Sequence, residues 1–393
     1  MSRNEGYRNQ TKEVLMLASV VSMIGQFNME NILILRKMGY EVHVACNFLK
    51  GNTCDRKQVQ RYEQKLKQMH VVCHQWDCPR KVYAAGKCQK AYLQLNKLMK
   101  EHEFLWIHCH SPVGGVLARL AARKWGMRVI YTAHGFHFYK GAPFKNWLLY
   151  YPVEKLLSYC TDVLITVNRE DYCLACKKMH AKKIVYIPGV GIDTQRFWKS
   201  QDTQFRIKYQ IPKDALLLLS VGELSRRKNH RVVLEALAAL KKYKIYYVIC
   251  GQGELKTELM CLARKLLVDQ RIRMIGFTEQ VDEIYKNADI FVFPSCQEGM
   301  PAALMEAMSA GLPCVVSDIR GNRELIDEGQ GGVRFEVDDI GGLCRALLFL
   351  ADRQRREAYG AYNRKKIRKY DNCVVMSEMK KIYEEMAGFS ICQ

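Results

Sequence analysis

Short apolar runs of strand length alternate along this chain with segments whose apolar residues recur every three or four positions, and the alternation breaks only once. Val14 to Val21 is apolar and rich in β-branched residues, Met29 to Met38 has helical spacing, and Glu41 to Cys46 resumes a strand pattern after Gly39. Such a strand, helix, strand unit makes its two strands parallel neighbours. The same cycle predicts helices over 84–101, 114–125 and 146–159 and strands over 106–108, 128–132 and 163–167. After Pro188-Gly189-Val190-Gly191-Ile192-Asp193 the periodicity lapses through 194–210, then restarts with the almost purely apolar Ala215 to Val221. Further strands are expected at 245–250, 272–275, 290–294 and 313–317, with helices over 231–240, 255–267, 281–287, 301–310 and from Ile340 onward. The expected fold is α/β: two doubly wound parallel-sheet domains, 1–195 and 196–370, with a crevice for ligands at the carboxyl ends of the strands.

Several classes are excluded early. The 393 residues are enough for two cores, and 49 % hydrophobic with 26 % charged residues is a globular balance. No apolar run reaches the roughly 18 to 20 residues that a membrane-crossing helix needs. The polar segment Met1 to Lys12 ahead of a strand-length apolar run predicts no secretion signal, and 16 scattered cysteines suit a reducing cytosol. Charge is uneven: residues 1–195 hold 29 Lys and Arg against 14 Asp and Glu, net +15, and the remainder 32 against 26, net +6. A basic half points to phosphates or an anionic membrane surface. No helix-turn-helix, zinc-finger or RNA-binding aromatic signature accompanies the charge, so no nucleic-acid partner is expected.

Two segments carry chemistry. In Phe293-Pro294-Ser295-Cys296-Gln297-Glu298-Gly299-Met300-Pro301-Ala302-Ala303-Leu304-Met305-Glu306, a strand ends, a loop carries Glu298, and Pro301 sits where a first helical turn should start. The amides around Met300 to Ala303 would then face an anion. Glu298 and Glu306 stand eight residues apart, about 12 Å along a helix. Paired glycosidase carboxylates sit roughly 5 to 9.5 Å apart. Ser220-Val221-Gly222-Glu223-Leu224-Ser225-Arg226-Arg227-Lys228-Asn229-His230 places a cationic turn between a strand and a helix, which suits a diphosphate. Cys173 and Cys176 have metal-like spacing without a second pair, and His108-Cys109-His110 alternates across a strand, so no metal site is expected.

These two segments, with Gly251-Gln252-Gly253-Glu254, Gly276-Phe277 and Thr132-Ala133-His134-Gly135, resemble glycosyltransferase family 4, of the two-Rossmann GT-B architecture with domains facing across a cleft. His134-Gly135-Phe136-His137-Phe138 and the segment 141–156 look most like bacterial enzymes that assemble capsule or exopolysaccharide. The resemblance spans nearly the whole chain. It implies that Glu298 touches the donor sugar, Glu306 the ribose, and Lys228 the diphosphate, aided by amides following Gly299, where Met300, Pro301 and Ala302 line the donor site. Gly222 and Gly251 line the donor site, Gly276 and Phe277 contact the base, and Gly25 lies in a strand-to-helix loop near the phosphates or acceptor. His134 approaches the donor sugar, with His137 competing for that role and Phe138 beside it on the acceptor side.

Relatives often carry arginine where this chain has Glu223, so Arg227, or else Arg226, is expected to supply the missing cation, with Glu223 facing away or paired to one of them. The resemblance further implies a retaining transfer from a nucleotide-sugar, by habit UDP-linked, without a metal, to a lipid-linked glycan. It also implies that the helix over 371–393 packs back on the first domain. A UDP-sugar 2-epimerase of the same fold is the rival reading. Phe144-Lys145-Asn146-Trp147-Leu148-Leu149-Tyr150-Tyr151 mixes aromatics with lysines as an interfacial helix does, or else belongs to the first core; with the basic residues of 56–67 and 80–100 it predicts a cytoplasmic protein held at the inner leaflet.

Overall fold

The computed structural model describes residues 12–52, 54–80, 85–189, 191–198, 204–278 and 280–388. Val190 and residues 199–203 of the expected linker, 81–84 of the basic run, most of the polar amino terminus and 389–393 lie outside them. Two units emerge: one runs to Ile187 and regains the chain from Met376, the other spans Pro188–Val375. The segment after Pro188 goes with the second unit because Ile192 bridges Asp371 and the Asp371 carboxylate accepts from the Thr194 amide at 3.2 Å.

The first unit is built on seven parallel strands in the order β3-β2-β1-β4-β5-β6-β7. They are β1 (Glu13–Val20), β2 (Glu41–Asn47), β3 (Val72–Gln75), β4 (Trp106–His110), β5 (Arg128–Ala133), β6 (Val163–Thr166) and β7 (Lys183–Tyr186). On one face Leu15, Leu17, Ile107 and Tyr131 pack against Leu95, Met99, Ala118 and Ala122 of the covering helices. The carboxyl-terminal helix, Asn372–Gly388, contributes Tyr383, which stacks on Trp106 at 5.4 Å and meets His108 Nδ1 at 2.9 Å.

The second unit repeats the plan with six parallel strands, β10-β9-β8-β11-β12-β13. These are β8 (Leu216–Val221), β9 (Ile245–Cys250), β10 (Ile272–Gly276), β11 (Ile290–Phe293), β12 (Cys314–Ser317) and β13 (Gly332–Phe335). Alternate residues feed two cores: Leu217, Leu219, Phe291 and Phe293 on one face, Leu218, Ile290, Val292 and Val315 on the other. Burial on both faces is why these strands read as continuous apolar runs rather than alternating ones. In each sheet the order reverses beside the first strand, between β1 and β4 and between β8 and β11, and a doubly wound sheet offers its ligand crevice at that point.

Three differences from the sequence reading have local causes. The edge strands β3, β7 and β13 are only four residues long and part-exposed, and β3 and β13 lack an apolar run. The helix Arg56–Gln68 starts on Asp55, whose side chain accepts from the Gln58 amide. Val21 leaves the strand: Val21–Phe27 is helical, so Gly25 stands inside a helix and not in a loop. A β-carbon at Gly25 would lie 2.4 Å from the Tyr62 ring, so close packing accounts for the glycine.

Candidate active site

In the second unit the carboxyl ends of β8, β9 and β10 are stitched by backbone. The Gly222 amide donates to the Cys250 carbonyl, Leu224 to Gln252, and Gly251 to Gly276, all at 2.8 to 2.9 Å. The approach requires glycine: a β-carbon at Gly251, whose φ is +156°, would stand 1.8 Å from the Gly222 oxygen. Gly276 also has positive φ, +76°, and the Phe277 ring after it is exposed.

Across the switch point the turn after β8 meets the loop after β11. Lys228 Nζ lies 2.8 Å and Arg227 Nη1 2.7 Å from the same oxygen, Oε1, of Glu298. Arg227 also donates to the Gln297 carbonyl, and its own carbonyl accepts from the Cys296 amide. Lys228 rests over the Phe293 ring at 4.4 Å, and a β-carbon on Gly222 would sit 3.1 Å from Lys228 Cε. Burial works to raise the Glu298 carboxyl, but the two cations prevail and hold it below the usual carboxylate range. For Lys228 burial prevails and lowers the ammonium despite Glu298. Glu223 is exposed, its carbonyl 3.3 Å from His230 Nε2, while Arg227 pairs with Glu298. Arg226 is exposed as well.

The helix after this loop is Ala302–Ala310, with Pro301 as its N-cap rather than its first helical residue. The Pro301 carbonyl takes the amides of Leu304 and Met305, so those of Ala302 and Ala303 are the helix's leading orphan donors. Gly299 bounds the same loop: a β-carbon at Gly321 would meet its carbonyl at 2.5 Å. Met300 packs on the core near Gly189. Glu306 is a second, different carboxylate. Its Oε2 lies 2.9 Å from the Tyr285 hydroxyl, which is also 3.0 Å from the Ala303 carbonyl, and burial pushes Glu306 up to about 7 against the pull of that hydroxyl. One hydroxyl proton cannot serve both acceptors. When Glu306 is ionised its carboxylate accepts that proton, and when Glu306 is protonated the hydroxyl is left to the Ala303 carbonyl.

Sequence reasoning missed Tyr285 and the support under the Gly222 turn. There His230 Nδ1 meets Tyr247 Oη at 2.9 Å, and Tyr247 donates to Ser220 Oγ at 2.8 Å. Burial, then Lys228, lowers His230 to about 4, so it is a neutral spacer. Nothing in local spacing marks either group, because their partners come from elements distant in sequence.

In the first unit His134 follows β5, with Nε2 3.2 Å from His110 Nδ1 and its ring 5.7 Å from Phe27. Burial lowers it to about 4, so it is a neutral imidazole. His137 stacks on Tyr150 at 4.6 Å, and its carbonyl accepts from Asn146. Phe138 does not reach an acceptor surface: it is fully buried among Phe136, Trp147 and Tyr151.

Two doubly wound parallel sheets, with a cation-held carboxylate and a helix amino terminus at the switch point of the second, define a two-domain α/β protein whose second unit carries a candidate anion site. Family models agree by halves: "Glycosyl transferase 4-like" matches residues 13–168 and "Glycosyl transferases group 1" residues 201–366. EpsD of Bacillus subtilis (strain 168), a glycosyltransferase by name, is 35 % identical over 95 % of this chain and 96 % of its own. The Escherichia coli UDP-Gal:alpha-D-GlcNAc-diphosphoundecaprenol alpha-1,3-galactosyltransferase is 32 % identical over 68 % and 71 %. Among solved structures, HepE of Anabaena in complex with UDP and glucose covers 95 % of this chain and 100 % of its own at 15 % identity, with a TM-score of 0.77. The chain belongs to the GT-B glycosyltransferases of family 4, and its relatives include enzymes named for O-antigen biosynthesis in Escherichia coli.

Proposed function

We propose that this protein transfers a sugar, with retention of anomeric configuration, from a UDP-sugar to a lipid-linked saccharide during synthesis of a cell-surface polysaccharide, without a metal at the reaction centre. The observation that carries the reading is the convergence of Lys228 and Arg227 on Glu298 at the β8–β11 switch point. The leaving nucleoside diphosphate gains negative charge as the glycosidic bond breaks, and prepositioned cations with helix amides stabilise it where a metal otherwise would. In the free protein Glu298 occupies both cations. An arriving diphosphate takes them over, and the carboxylate, released, accepts hydroxyls of the donor sugar. Ala302 and Ala303 offer their amides to the diphosphate, Glu306 in its ionised form accepts from the ribose, and Gly276 with Phe277 meets the base. His134, a neutral imidazole, is assigned to the donor sugar, and His137 to the acceptor. The acceptor's proton goes to the leaving phosphate oxygen as the new bond forms on the same face.

A lipid-linked acceptor is supported by the name of the Escherichia coli relative, a UDP carrier by the ligands named with HepE. Peripheral attachment to an anionic bilayer is supported by the helix Phe144–Ser158 and the Tyr159 that follows it. Phe144, Leu148, Leu149 and Leu156 are exposed along one side of the helix together with Lys145, in the half of the chain with net charge +15. No helix among the described residues is long and apolar enough to cross a membrane.

The test is thermal stability against UDP, GDP, ADP and TDP, with Lys228→Ala and Glu306→Ala in parallel. Ligand at a hundred times its dissociation constant adds about 2.7 kcal/mol. A shift with UDP that both substitutions abolish supports the donor site. Absence of a shift with any nucleotide contradicts it.

A further inference from the structure

Outside the donor site, three histidines from separate parts of the first unit come together: His43 on β2, His74 on β3 and His102, just past the helix Ala85–Glu101. Each offers one ring nitrogen, and the three nitrogens lie within 4.8 Å of one another. The cluster follows from register. Ala45 pairs with His74 and His43 with Val72, so His43 and His74 share the sheet face that the Ala85–Glu101 helix covers, and the end of that helix brings in His102.

The geometry points to a binding site for one divalent transition-metal ion of zinc type, held by His43, His74 and His102 and stapling β2, β3 and the helix end together. Imidazole nitrogens about 2.0 to 2.1 Å from a tetrahedral zinc stand roughly 3.3 Å apart, and His43 Nδ1 and His74 Nε2 are now 2.9 Å apart, so a few tenths of an ångström admit the ion.

The surroundings fit a metal better than a simple hydrogen bond. His43 is 1 % exposed, and its Nε2 has no hydrogen-bond partner, with the Glu41 carboxylate waiting at 3.8 Å. When an ion takes Nδ1, the ring proton moves to Nε2 and faces that carboxylate. His102 Nδ1 is held by Glu13 Oε2 at 3.0 Å. Metal-bound histidines characteristically give their other nitrogen to a carboxylate, which fixes the tautomer. The part-exposed His74 and His102 leave an entry path. The site lies toward the amino-terminal ends of β1 and β2, whereas His134 follows the carboxyl end of β5 and the other donor residues belong to the second unit, so the metal's role is structural.

The test uses the full chain without a histidine tag, reduced, with Zn²⁺ and Co²⁺ as probes. One equivalent of Zn²⁺ should bind and raise the melting temperature. Co²⁺ should give visible d–d bands without the near-ultraviolet thiolate band that cysteine ligation would add. His102→Gln and His74→Gln should each weaken Zn²⁺ at least a hundredfold while keeping the melting temperature of the metal-free chain, and Glu13→Gln should weaken it about 10- to 100-fold. No stoichiometric binding, binding untouched by either histidine substitution, or a thiolate band would each overturn the site.

Discussion

Glu298 has two partners to lose, and the order of loss discriminates its role. Lys228 and Glu298 are nearly buried, 11 % and 9 % exposed, at 2.8 Å, whereas Arg227 is 45 % exposed. A charge-assisted hydrogen bond contributes roughly 1.5–3 kcal/mol, and the exposed arginine less than about 1 kcal/mol after screening. An incoming diphosphate must draw Lys228 away from Glu298. Glu298→Gln removes that competition without removing volume, so UDP should bind equally or up to about tenfold tighter, a gain of at most ~1.4 kcal/mol. The same substitution should lower kcat/KM with the UDP-sugar at least ~100-fold, because it removes the contact proposed to the sugar in the transition state. Lys228→Ala should instead weaken UDP by about 2–4 kcal/mol, roughly 30- to 1000-fold. Calorimetric titration of both variants with UDP is the assay. If folded Glu298→Gln binds UDP more than tenfold weaker than the parent, Glu298 serves to position the cations, and the exchange of partners is wrong.

Donor affinity should depend on pH through Glu306. Burial pushes its carboxyl up to about 7, and the proposed contact to the ribose needs it ionised, so affinity should rise with pH through about 7. Titrations with UDP-glucose, whose diphosphate does not titrate there, should show about tenfold tighter binding at pH 8 than at pH 6, and Glu306→Gln should flatten the profile. Gly251→Ala forces a methyl to within 1.8 Å of a backbone oxygen and should lower the melting temperature by roughly 4–8 °C, a loss of about 2 kcal/mol; an unchanged melting curve would mean the two loops part easily. Leu148→Glu with Leu156→Glu, on exposed positions, should leave melting unchanged but abolish flotation with anionic liposomes at low salt. Retained flotation would remove the helix from the membrane reading.

Most strands were legible because burial on both faces writes them as apolar runs: β8, Leu-Leu-Leu-Leu-Ser-Val, cannot be mistaken. The Glu298 loop was legible because a strand end, a loop carboxylate and a proline at a helix start are local features. What escaped depends on partners distant in sequence. Tyr285 is recognisable as the neighbour of Glu306 only once its helix lies against Ala302–Ala310. His43, His74 and His102 are spread over three elements, and only the β2–β3 register unites two of them. Gly25 and Phe138 were misplaced for a related reason. A glycine near a strand end reads as a loop, and a phenylalanine beside histidines reads as site, until Tyr62 and Trp147 show each to be packing.

The most direct measurement is the anomeric configuration of the product formed from a panel of UDP-α-sugars and a saccharide-diphosphate-lipid acceptor. The account predicts an α-linked product, with UDP released only when acceptor is present and without added metal. A β-linked product, or a UDP-sugar isomerised with no acceptor at all, would contradict it.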